Sequence, residues 1–161
     1  MFEFLQARHV FVNVSDGHAI YGRDDVEPHY SKYVHELAQK DHRIQFMGSF
    51  QREKKQEVYQ QIDVLVIPSI TNETFSFVAR EALESGIPVV ASALGALTEI
   101  IQPEKNGFLF PSGNIVELSK ILLKIAQNPM LLSELDCPGD IEIFSVDEHV
   151  AQLEKIYSQL V

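Results

Sequence analysis

Residues 62–101 read IDVLVIPSITNETFSFVAREALESGIPVVASALGALTEII, and their pattern decides the fold. Ile62 to Ile67 is a short apolar run, rich in β-branched residues and stopped by Pro68, which is the mark of a buried strand. Ser69 to Asn72 make a polar loop that leads to Glu73. From about Phe75 to Ser85 the spacing turns helical, with Val78, Ala79, Ala82 and Leu83 on one face. Gly86 and Pro88 stop that helix, one as a left-handed cap and the other as a breaker. Pro88 to Ala91 then reads as the next buried strand. A strand–loop–helix–strand unit requires a right-handed crossover and a parallel sheet. Ligands of such sheets sit beyond the carboxyl ends of the strands, where this unit places its loop and the start of its helix.

Upstream, His9 to Val14 reads as a first strand, ended by a turn at Ser15, Asp16 and Gly17. Pro28 to Lys40 follows as a helix, Arg43 to Met47 as a strand, and Gln51 to Gln60 as a charged amphipathic helix. Downstream, Leu94 to Ile101 is a short helix and Phe108 to Phe110 a short strand after the Asn106–Gly107 turn. A helix over Asn114 to Gln127 puts Leu118, Ile121, Leu122 and Ile125 on one face, with Asn114 as its cap. Ser145 and Glu148 form a capping box for a terminal helix reaching Leu160. Alternating helices and continuously apolar strands predict one doubly wound, Rossmann-like α/β domain of about five parallel strands, spanning residues 1–161.

Composition narrows the function classes. The chain is 45% hydrophobic and 22% charged, the balance of an ordinary globular protein. A formal net charge of -10 argues against nucleic-acid partners. Cys137 is the single cysteine, which excludes an internal disulfide and fits a cytoplasmic setting. The scattered histidines show no metal-ligand spacing, and neither a dinucleotide fingerprint nor a Ser- or Cys-centred nucleophile signature is present.

The central stretch carries an ordered set: Glu73, then Glu81 eight residues on, then Gly95 and Glu99 in LGALTEI, then NGFLFPSGN from Asn106 to Asn114. Two glutamates at that separation occur by chance in any acidic chain; the order of the whole set is the specific feature. It resembles the C-terminal half of retaining glycosyltransferases of the GT-B fold, the large group 1 family that includes sucrose synthase and bacterial mannosyl- and glucosyltransferases. The resemblance runs from the His9 strand to about Pro129. It implies a site for a nucleotide-diphosphate sugar such as a UDP-, GDP- or ADP-sugar, used without a metal or other cofactor. Glu73 takes the catalytic place on the donor sugar. Thr74, Phe75, Ser76, Phe77 and Val78 present backbone amides to sugar and phosphate, Glu81 meets the ribose, and Gly95 belongs to the same donor site.

Those roles make chemical sense. Phosphates are drawn to a helix amino end, where free N–H groups and the positive dipole end point outward. A carboxylate accepts from two vicinal hydroxyls. Ser76 and Ala96 depart from the family, which often has glycine at both places. The resemblance further implies a fragment that lacks an N-terminal acceptor domain, the first strand of its own domain, and a basic segment that neutralises the diphosphate. The complete enzyme is expected to act in polysaccharide biosynthesis on a glycan or lipid-linked acceptor, with peripheral membrane association.

Three weaker candidates stand beside their ordinary readings. His18 follows the strand-one turn and is expected on the ligand side of the sheet, though loop histidines are usually just solvated. Phe50 is placed to face the nucleotide base, though an aromatic there usually packs in the core. Glu99 is a site acid or a local helix partner. Two other functions share parts of this pattern. A sugar-nucleotide 2-epimerase half uses the same fold, but needs further acid and base residues. A non-catalytic receiver-like domain needs an acidic cluster at the first strand end, which Asp16 alone does not supply.

Overall fold

The computed structural model describes residues 10–13, 17–21, 28–137 and 146–159. The strands are β1 (Val10–Asn13), β2 (Gly17–Tyr21), β3 (Ile44–Gly48), β4 (Val64–Ile67), β5 (Val89–Ser92) and β6 (Gly107–Phe110). The helices are α1 (Pro28–Ala38), α2 (Lys55–Tyr59), α3 (Phe77–Glu84), α4 (Leu97–Ile100), α5 (Ile115–Gln127), α6 (Met130–Ser133) and α7 (Val146–Ser158). One sheet forms in the order β3-β2-β1-β4-β5-β6.

Helices cover both faces, so the β4 and β5 strands are apolar without alternation. On one face Val34 and Ala38 of α1 and Leu118 and Ile125 of α5 pack against Val64, Val66 and Val90. On the other, Tyr59 of α2, Ala79, Ala82 and Leu83 of α3 and Leu97 of α4 pack against Leu65, Ile67, Val89 and Ala91. Leu65, Ile67 and Leu83 are 0% exposed, and burial of each contributes about 1.5–3 kcal/mol. Helix α3 ends where sequence places its stop: Gly86 takes φ 78°, and the Ile87 N–H returns to the Ala82 carbonyl at 2.8 Å. Asn114 caps α5 by accepting from the Glu117 N–H at 3.1 Å. The Ser145 half of the predicted capping box lies outside the described residues, as do Ser15 and Asp16.

Two sequence expectations change at the amino-terminal side. Gly17–Tyr21, read as turn and loop, is a strand paired with β1 and with β3. Strand β1 runs antiparallel to both of its neighbours, β2 and β4, whereas β2–β3, β4–β5 and β5–β6 are parallel. The sheet is thus five strands in one direction with one reversed strand in its middle. The reason is chain length. Three residues separate β1 from β2, and a parallel crossover takes a dozen or more. A connection that short closes only a hairpin.

Candidate active site

Strand β4 delivers the chain at its carboxyl end through the buried Pro68 to a loop that α3 closes. Four hydrogen bonds and one cation–π contact fix this loop. Ser69 Oγ donates to Glu73 Oε1 at 2.7 Å. Ser112 Oγ, beyond the end of β6, donates to the Ser69 carbonyl at 3.1 Å. The Glu73 carbonyl accepts from the Ala96 N–H at 2.8 Å. Arg80 Nε donates to the Phe75 carbonyl at 3.2 Å, and its guanidinium sits 4.2 Å from the Phe75 ring centre. Loops after three parallel strands, β4, β5 and β6, therefore meet along the Ser69–Glu73 stretch.

Gly95 is what allows that meeting. A Cβ at this position would stand 2.2 Å from the Glu73 carbonyl oxygen. Its nearest partner is therefore the backbone of Glu73.

Ser76 precedes α3 with φ 54° and ψ 71°, a left-handed conformation that disfavours every residue with a Cβ. Glycine, without a Cβ, enters this conformation freely. The backbone turn keeps the Ser76 side chain from capping the helix, and its Oγ is buried without a hydrogen-bond partner. Helix α3 consequently starts at Phe77, two residues later than the apolar pattern predicts, and the first-turn amides lack a side-chain cap. Thr74, Phe75 and Phe77 have exposed side chains, and Val78 is half-buried.

Glu81 lies one turn further along α3. Its Oε1 is 3.1 Å from Lys55 Nζ at the start of α2, and its Oε2 lies 3.4 Å from the Tyr59 hydroxyl. That hydroxyl is also 3.4 Å from the Val78 carbonyl, so its one proton is shared over two long contacts. Burial, and then the Glu81 charge, raise the Tyr59 pKa well above the usual phenol range, which keeps the O–H a donor.

The remaining candidates separate from this cluster. His18 was expected on the ligand side; the structure puts it at the other end. Because β1 is reversed, its Asn13 end and the Gly17 start of β2 lie at the amino ends of the five co-directional strands, and His18 pairs with Ile44 at the start of β3. Phe50 does follow a strand carboxyl end, but it packs edge-on against Tyr21 at 5.4 Å. Glu99 is exposed on α4. Two clefts lie elsewhere. One of about 600 Å³ is lined by Ile62, Gly86 and Pro88 near the amino ends of β4 and β5. The other, about 330 Å³, crosses β2 and β3. Neither includes a residue of the β4–α3 loop, and neither brings together the carboxylates and helix amides found there.

Sequence reasoning missed Ser69, Arg80, Lys55 and Tyr59. Ser69 carried a local signal, four residues before Glu73. Lys55 and Tyr59 reach Glu81 across 26 and 22 residues, and no spacing rule links them. Among the described residues no group of three or more His, Cys, Asp or Glu side chains is placed to hold a metal ion. No described helix is long and apolar enough to cross a membrane.

Comparison with known proteins identifies the family and the fold. The family profile of glycosyl transferases group 1 matches residues 3–128. An uncharacterized glycosyltransferase of Methanocaldococcus jannaschii is 38% identical over 88 residues, covering 55% of this chain and 22% of that protein. The phosphatidyl-myo-inositol mannosyltransferase of Mycobacterium leprae is 29% identical over 116 residues, covering 71% of this chain and 31% of its own. The chain thus spans under a third of the length of either relative. Among solved structures, Anabaena HepE in complex with UDP-glucose superposes with a TM-score of 0.74 at 23% identity, over 88% of this chain and 40% of that one. The doubly wound sheet is that of GT-B glycosyltransferases, and with four-fifths of its length inside the matched region the chain belongs to the glycosyl transferases group 1 family.

Proposed function

We propose that this domain binds the nucleotide-diphosphate sugar donor of a retaining hexosyltransferase. The observation that carries the reading is the placement of Glu73 and Glu81 on either side of the uncapped amino end of α3, at a strand carboxyl end. The amides of residues 74–78 face the diphosphate. When the bond from sugar C1 to the phosphate oxygen breaks, the electron pair leaves with the phosphate, and those amides and the helix dipole stabilise the growing charge. Glu73, held by Ser69, accepts from hydroxyls of the reacting sugar and fixes its position. Glu81 accepts from the ribose hydroxyls. UDP-glucose bound to HepE supports this class of ligand. The acceptor, a glycan or lipid-linked sugar, would be held by a second domain of a cytoplasmic enzyme of polysaccharide biosynthesis, and the reaction would use no resident metal.

NMR titration of the 161-residue chain with UDP, GDP, ADP and their glucose or mannose forms tests the reading. One nucleotide is expected to bind in the range of about 0.1–1 mM, equivalent to about 4–5.5 kcal/mol. Shifts should cluster at residues 72–81 and Gly95. Glu81→Gln should cost about 1.5 kcal/mol for nucleotide and nucleotide sugar alike. Glu73→Gln should weaken only the nucleotide sugar. Shifts elsewhere, or equal effects of both substitutions on both ligands, overturn the assignment.

A further inference from the structure

Glu81 is partly exposed on the surface of a helix, and a glutamate in that situation ordinarily samples several rotamers. Here it does not stand alone. Lys55 Nζ meets Oε1 at 3.1 Å, with the two side chains 32% and 30% exposed, and the Tyr59 hydroxyl approaches Oε2. The lysine comes from a different element, at the first turn of α2. An ion pair this open to water adds little to folding. Its consequence is local: the Lys55 ammonium on Oε1, with the longer, shared Tyr59 contact on Oε2, limits rotation of the carboxylate and leaves lone pairs on both oxygens unused. A carboxylate offers about four such sites. Lys55 and the shared Tyr59 proton take at most two of them, so at least two remain, as many as a pair of vicinal hydroxyls requires.

We propose that Lys55 is a positioning residue for Glu81: it holds the carboxylate in the orientation that reads both ribose hydroxyls, and so sets the preference for ribonucleotides over 2′-deoxyribonucleotides. This rests on the reading of Glu81 as the ribose carboxylate. Ordering a glutamate on binding costs affinity, and a partner that orders it beforehand removes that cost. The gain falls on the second hydroxyl in particular. A mobile carboxylate still finds one hydroxyl, but a bidentate contact needs both oxygens in place. The alternatives predict differently. If Lys55 merely attracted the diphosphate, its loss would weaken ribo- and deoxyribonucleotides alike. If Lys55 competed with the ribose, its loss would strengthen binding.

The test is calorimetric or NMR titration of the full chain and its Lys55→Met and Lys55→Arg variants with UDP and dUDP, GDP and dGDP, and ADP and dADP. Glu81→Gln is run in parallel. The wild-type chain should prefer one ribonucleotide over its deoxy form by about tenfold, the size of one charge-assisted hydrogen bond. Lys55→Met should bring that ratio close to one with an unchanged melting temperature, and Lys55→Arg should restore most of it. A wild-type chain without the preference, or a preference that survives Glu81→Gln, overturns the ribose assignment and this proposal with it. A preference lost in Glu81→Gln but kept in Lys55→Met overturns the proposal alone. So does a uniform loss or a gain of affinity in Lys55→Met.

Discussion

Ser76 and Gly95 sit within the same loop cluster and test opposite consequences of backbone geometry. Ser76 adopts a left-handed conformation that glycine enters freely, and its hydroxyl is buried without a partner. Replacing it by glycine removes about 1–2 kcal/mol of conformational penalty and the cost of an orphaned hydroxyl, against about 0.5–1 kcal/mol of added chain entropy in the unfolded state. Ser76→Gly should therefore stabilise the chain by about 1 kcal/mol in chemical denaturation. Gly95→Ala should do the reverse. Its new methyl would meet the Glu73 carbonyl, break the bond to the Ala96 N–H and displace the loop, at a cost on the order of 2–4 kcal/mol. A stabilised Gly95→Ala, or a destabilised Ser76→Gly, would show that the backbone is differently arranged. At this scale the sequence was informative about which residues matter and less so about how. Glu73, Glu81 and Gly95 stand out from their order along the chain. The part Gly95 plays is a contact with a carbonyl 22 positions earlier, which no local pattern reveals.

At the scale of elements, the β4–α3–β5 unit was legible because its signals are local: β-branched runs, a helical stripe, a glycine stop. The β2 strand was hidden because GHAIY is short, mixed in polarity and adjoins a turn signal. Missing β2 also hid the direction of β1, since only a nearby second strand makes three residues too few for a crossover. That error placed His18 at the wrong end of the sheet, and its true position has a measurable effect. In the β2–β3 pair, His18 Nδ1 is buried without a partner. Burial, and then the charge of Arg43, lower its pKa from 6.5, while the smaller influence of the Asp41 charge opposes them. The unfolded chain therefore takes up this proton before the folded one does. Above pH 6.5 His18 is neutral in both states and costs nothing; as pH falls below 6.5, protonation increasingly favours the unfolded chain. The Arg43 pair holds the Asp41 carboxyl far below the usual range, so Asp41 does not titrate in this window. Thermal melts of His18→Gln should accordingly show a flatter decline between about pH 6.5 and 5 than the parent chain. Parallel curves would mean that His18 is solvated in the folded state.

Across the whole molecule, the helices and five co-directional strands direct three loops toward one end of the sheet, and two clefts, of about 600 and 330 Å³, lie away from those loops. A site with its polar groups on an open rim suits a ligand that is closed over from the other side. The chain carries a net charge of -10, and a nucleoside diphosphate is itself anionic, so long-range attraction cannot hold the donor here. Retention falls to short-range contacts, the donor amides of α3 above all, with Glu81 held in place by Lys55. Donors of that kind bind a ground state, whereas transfer also needs an acceptor oxygen aligned with C1 and further charge on the departing diphosphate. On the reading proposed above, the acceptor is held by a second domain. The purified chain should therefore bind donor and show no transfer when given UDP-glucose, GDP-mannose or ADP-glucose with simple sugar acceptors, as followed by release of nucleoside diphosphate. Adding EDTA should leave donor affinity unchanged, because the proposed contacts are amides, hydroxyls and carboxylates acting without a metal. Robust turnover by this chain would mean that acceptor binding and diphosphate stabilisation are complete within it, and the division of labour between two domains would have to be abandoned.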